Sequence, residues 1–151
     1  MNLAKSLKTK KRLAQKIATL QKDIQDHNSI PSGQDRKIDV NKMMEELELA
    51  IKDIIRLKLI IFQASNPMRE TILTLAEYKS RISFLREIDT HEGKNKTNDH
   101  MRGFGYNDGE IEFSAAFDLL WVRKEISKCE EKIDKLQDEL DIFNHKTEVE
   151  F

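Results

Sequence analysis

The residues best suited to chemistry are an arginine and a histidine separated by four positions, in Arg86-Glu87-Ile88-Asp89-Thr90-His91. Arginine is a permanent cation, and a histidine changes charge near neutral pH, so the pair has the equipment of an acid–base site. With eight arginines and four histidines in 151 residues, the spacing also arises by chance about as often as not. A basic residue and a histidine near a helix C-terminus are equally well explained by the helix dipole. A second candidate is a metal site on loops built from His27, His91 and His100. No two histidines stand four apart on one helix, so surface positions explain them more simply. Glu45-Glu46-Glu48 reads as a solvated helix face and Cys129 as a small core residue. Phe117 and Trp121 could line a pocket, although packing against a neighbouring hairpin suits them better. The sequence has no glycine-rich phosphate loop, nucleophile elbow or Ser-His-Asp arrangement.

The elements that must hold these residues are helical. A first helix over about 2–26 carries Leu3, Leu7, Leu13, Ile17, Leu20 and Ile24 on one stripe, with Asn2 as its cap. Pro31 and Gly33 end it. A second helix over about 39–65 starts at Asp39 and carries Val40, Met43, Met44, Leu47, Ile51, Ile54, Leu57 and Ile61. Its apolar face is wider than a coiled-coil seam, which marks it as the central packing element. A third, over about 70–90, carries Ile72, Leu75, Ile82, Leu85 and Ile88, with Thr74 and Glu77 at capping-box spacing. The fourth, over about 115–145, follows Ala115, Leu119, Val122, Ile126, Cys129, Ile133, Leu136, Leu140 and Phe143 in unbroken steps of four and three. That heptad seam, about 45 Å long, predicts a coiled-coil partner on this chain or a second copy. Between the last two helices, Phe104, Tyr106, Ile111 and Phe113 alternate around Asn107-Asp108-Gly109 and predict a β-hairpin over about 100–114. The tail Thr147–Phe151 alternates as well. Four helices joined by short connections alternate up and down, which would bring His27, His91 and His100 to one end.

Composition narrows the class. Charged residues make up 35% and aromatics 7%, with two prolines and five glycines, a helical balance unlike that of a β-sandwich. Twenty-six basic and 27 acidic side chains nearly cancel, so no global field selects nucleic acid or membrane. A lone cysteine excludes an internal disulfide framework and suits a reducing, cytoplasmic setting. No segment reaches membrane-spanning length without charges, and the basic N-terminus lacks the apolar stretch of a signal peptide. The first 22 residues carry seven bases (Lys5, Lys8, Lys10, Lys11, Arg12, Lys16 and Lys22) and no acid. Residues 130–150 carry eight acids and three bases. Charge-matched helix pairing accounts for both segments, with phosphate tracking by the basic helix as the competing use. No aromatics interleave with those bases to stack nucleic-acid bases.

Two resemblances add to this reading. The Arg86-to-His91 spacing resembles the R-x(4–6)-H motif of HEPN ribonucleases, which are helical bundles acting on RNA at a dimer interface. That resemblance implies Arg86 stabilising phosphate charge and His91 as the acid–base. Over most of its length the chain also looks like a family of uncharacterised bacterial proteins labelled septicolysin-like. Met1-Asn2-Leu3-Ala4-Lys5-Ser6-Leu7 resembles that family's start, Met-x-Leu-Ala-x-x-Leu, and Arg81-Ile82-Ser83-Phe84-Leu85-Arg86-Glu87 resembles its third helix. Glu110-Ile111-Glu112-Phe113, the long heptad helix and the closing Asn144-x-x-Thr147-Glu148-Val149 resemble its C-terminal third. His145 stands where the family commonly has tryptophan, and the segment before the third helix is shorter. The label implies a thiol-activated cytolysin. This chain has no long amphipathic β-pattern for a pore, and its one thiol lies on a helix seam, so the resemblance implies the helical architecture alone.

The sequence therefore predicts an all-α antiparallel bundle of four long helices with coiled-coil character and one small hairpin, as a single domain over 1–151. It favours a cytoplasmic, non-catalytic scaffold or adaptor that forms homo-oligomers through the heptad helix, without cofactor, metal or membrane. The alternatives are a HEPN-like ribonuclease using Arg86 and His91 and a nucleic-acid-binding module using the basic first helix.

Overall fold

The computed structural model describes residues 1–94 and 111–151. Its elements follow in the order α1 (Leu3–His27), α2 (Val40–Ala64), a short 3-10 turn (Asn66–Met68), α3 (Arg69–Glu87), β1 (Gly93–Lys94), β2 (Glu112–Phe113) and α4 (Leu119–Lys146). The chain is mostly helical with one small antiparallel two-stranded sheet. Among the described residues, no helix is long and apolar enough to cross a membrane.

Short acceptor side chains set where the helices start. Asn2 accepts the Lys5 N–H at 2.9 Å and Asp39 accepts the Lys42 N–H at 3.0 Å. Asp118 accepts the Trp121 N–H at 2.7 Å. Each satisfies a backbone donor that the first turn leaves free. Asp118 explains why α4 opens at Leu119, after the first residue of the heptad pattern, Ala115. The loop from α1 to α2 turns at Pro31–Gln34, where the Gln34 N–H donates to the Pro31 carbonyl at 3.2 Å. Gly33 supplies the positive φ of 86° that the third position of this turn requires. At the end of α2, the Ser65 hydroxyl donates to the Ile61 carbonyl at 2.6 Å. Pro67 then enters the 3-10 turn that leads directly into α3.

The packing forms two compact units, Met1–Thr71 with Asp138–Phe151, and Ile72–Gln137. In the first unit, α1 and α2 run antiparallel. Leu3 at the start of α1 is buried with Leu57 and Ile61 near the end of α2 and with Val149, and Leu7, Ile60, Ala64 and Phe143 pack around them. Lys16 lies 3.9 Å from Glu46, nearer the start of α2. The two ends of the chain pair in extended form through an antiparallel bridge between Asn2 and Glu148. The Leu3 N–H donates to Thr147 and the Val149 N–H to Met1, both at 2.8 Å. The Met1 ammonium lies 3.3 Å from the Glu148 carboxylate.

In the second unit, Ile82 and Leu85 of α3 form a buried cluster with Val122 and Cys129 of α4. Tyr78, Ile88, Trp121, Ile126 and Ile133 pack against it. Beyond the helices, Gly93 pairs with Phe113 and Lys94 with Glu112. The turn expected at Asn107-Asp108-Gly109, its first strand with Phe104 and Tyr106, and His100 lie outside the described residues. Phe113, expected in the closing strand of that hairpin, lies in β2, and β2 pairs with β1 at Gly93–Lys94, upstream of the expected span of about 100–114.

Candidate functional site

Arg86 lies in the last turn of α3, and its guanidinium is 3.7 Å from the Glu130 carboxylate of α4. His91 follows the helix. Its backbone N–H donates to the Asp89 carboxylate at 2.9 Å. Its ring stands edge-on to Phe113 of β2, with centroids 5.5 Å apart and planes at 67°. The arginine therefore engages α4 while the histidine engages the sheet. Both groups belong to the second unit, and each is held by a partner of its own.

Arg81 makes a parallel contact, 3.5 Å from Glu125. Glu125 also accepts a hydrogen bond from the Lys128 ammonium one turn along α4. That hydrogen bond holds the Glu125 carboxyl below the usual carboxylate range, with the charges of Lys128, Arg81 and Lys124 acting in the same direction and partial burial opposing them. Arg81 with Glu125 and Arg86 with Glu130 thus form an ionic edge along the α3–α4 contact. It is the most organised set of charges among the described residues, and its chemistry is charge neutralisation.

Of the histidines proposed as metal ligands, His27 bonds within its own helix. His27 lies in the last turn of α1, where its Nδ1 donates to the Asp23 carbonyl at 2.7 Å. Arg36 reaches back from the loop to the carbonyls of His27 and Asn28, at 3.1 and 3.0 Å, and so closes the same helix end. His145 repeats the pattern at the end of α4, with its Nδ1 on the Asp141 carbonyl at 2.8 Å. Among the described residues, no three His, Cys, Asp or Glu side chains are grouped to hold a metal ion. Cys129 is a buried free thiol inside the α3–α4 cluster. Phe117 and Trp121 stack on each other with centroids 4.1 Å apart.

Part of the heptad seam of α4 is covered within the chain. Val122 and Cys129 are buried, Ile126, Ile133, Leu136, Leu140 and Phe143 are half-buried, and Leu119 is exposed. The surface that periodicity alone does not reveal is on α2. Leu47, Ala50, Ile54, Leu57 and Ile61 are buried, while Met44, Ile51, Ile55, Leu59 and Phe62 form a second apolar stripe that stays exposed. The broad apolar face noted in the sequence is therefore two faces, one packed and one open.

No protein-family description matches this chain, and no curated protein matches it. A solved structure does: a functionally unknown conserved protein from Corynebacterium diphtheriae, 17% identical, with a TM-score of 0.68 over 99% of each chain. At this identity the likeness concerns the fold.

Proposed function

We propose that this protein is a non-catalytic, cytoplasmic scaffold or adaptor that works by helix-to-helix contact and associates with itself, its helices forming an antiparallel bundle with coiled-coil character. The observation that carries this reading is the open apolar stripe on α2, where Ile55 is 61% and Phe62 is 56% exposed. Contiguous exposed apolar surface of this kind marks a place where another chain sits. The flanking ion pairs support the coiled-coil element. Arg81 and Glu125 each precede an apolar seam residue, Arg86 and Glu130 each follow one, and an antiparallel pair of helices matches such positions like with like.

If association stabilises the fold, the thermal midpoint rises with protein concentration, because only the folded chain binds its partner. A midpoint unchanged over about a hundredfold range of concentration would count against the scaffold reading. The ribonuclease alternative keeps Arg86 and His91 as its residues. It predicts cleavage of a mixed RNA substrate by the wild-type chain and none by His91→Ala. No cleavage by the wild-type chain between pH 6 and pH 8 removes that alternative, and equal cleavage by both chains points to a contaminant. The basic α1 retains exposed Lys5, Lys8, Lys11, Arg12 and Lys22, and the nucleic-acid alternative predicts RNA or DNA binding that weakens steeply with salt.

A further inference from the structure

We propose that two copies of this chain pair through the outward face of α2, antiparallel and about a two-fold axis near residue 53. The inference rests on the scaffold reading and names its surface and its partner. Six positions on that face, Met44, Glu48, Ile51, Ile55, Lys58 and Phe62, follow steps of four, three, four, three and four. This is a complete coiled-coil seam, separate from the stripe that packs on α1, and every member is exposed. Four members are apolar and two are charged, and the order of types is what matters. Read from either end, the seam runs apolar, charged, apolar, apolar, charged, apolar, with opposite charges at its two charged positions.

Antiparallel pairing matches the first position with the sixth, the second with the fifth and the third with the fourth. Met44 of one copy then meets Phe62 of the other, Ile51 meets Ile55, and Glu48 meets Lys58, each contact occurring twice as a two-fold interface demands. Parallel pairing in register would set Glu48 against Glu48 and Lys58 against Lys58. The two charges that interrupt the seam thus favour one orientation and oppose the other, as a polar layer does in coiled coils generally. Neither Glu48 nor Lys58 has an ion-pair partner among the described residues. Arg69 lies over the Phe62 ring, 4.2 Å from its centroid, and braces the end of the seam.

The seam runs along about 27 Å of helix, which places the contact at the small end of specific interfaces and sets the useful concentrations at micromolar and above. The test is sedimentation velocity of the full chain from about 1 to about 200 µM, a range suited to a contact of this size. Lys58→Glu sets like charges face to face twice per dimer and raises the dissociation constant at least about tenfold. Combining it with Glu48→Lys exchanges the two charges and returns the constant to within about threefold of wild type. Ile55→Asp abolishes the dimer while leaving helix content unchanged, because Ile55 is exposed in the single chain. A wild-type chain that is monomeric throughout overturns both this proposal and self-association. A dimer that persists in Ile55→Asp overturns this proposal alone and places association elsewhere. A double exchange as weak as the single reversal overturns the antiparallel register.

Discussion

At the scale of single residues, several titratable or charged side chains tie helix ends and helix pairs together. His27 and His145 each bond the carbonyl four residues back at a helix end, and Arg86 spans to Glu130. Glu125 is the residue whose environment makes a pH prediction. Its pKa is lowered by the Lys128 hydrogen bond and by Arg81, so the ionised form is favoured in the folded chain. The stabilisation is present above the ordinary carboxylate pKa and is lost as pH falls through the lowered folded value. Glu125→Gln is therefore less stable than wild type at pH 7, and the difference closes under acid, as read by urea midpoints at each pH. Asp118 carries a second prediction. Removing its cap in Asp118→Ala costs about 1 kcal/mol and frays the start of α4, which hydrogen exchange of Trp121 and its neighbours reports. The sequence reveals the Asn2 and Asp39 caps because each directly precedes a long apolar pattern. Asp118 is hidden because the heptad pattern begins upstream of it.

At the scale of elements, the helices are legible because apolar spacing follows backbone geometry directly. Which apolar residues are covered is decided by neighbours, and spacing does not record neighbours. Thus α2 shows one broad apolar face in the sequence and two faces in the fold, one packed on α1 and one open. The charge match behaves likewise: opposite charge runs point from α1 to α4, while Lys16 finds its acid at Glu46 of α2. Both partners are exposed, so Lys16→Glu should cost only about 0.2–1 kcal/mol, and Glu46→Lys in the same chain should recover part of it at low salt. A contrasting loss is expected in the α3–α4 cluster. Leu85 is 2% exposed, and Leu85→Ala should cost about 2–5 kcal/mol in denaturant unfolding.

At the scale of the whole molecule, helices that look long enough to need a second chain are partly covered by their own. The seam of α4 is divided between the two compact units, with Cys129 in one buried cluster and Phe143 against the other. That division is invisible in a continuous heptad pattern, because nothing in the repeat marks where one set of neighbours hands over to the next. Among the exposed apolar side chains, Met44, Ile51, Ile55, Leu59 and Phe62 line up along α2, and self-association through that stripe is the central claim. Sedimentation equilibrium of the wild-type chain measures it most directly. The account predicts a mass approaching twice 17.7 kDa as concentration rises through the micromolar range, and a mass that stays at 17.7 kDa at every concentration would contradict it.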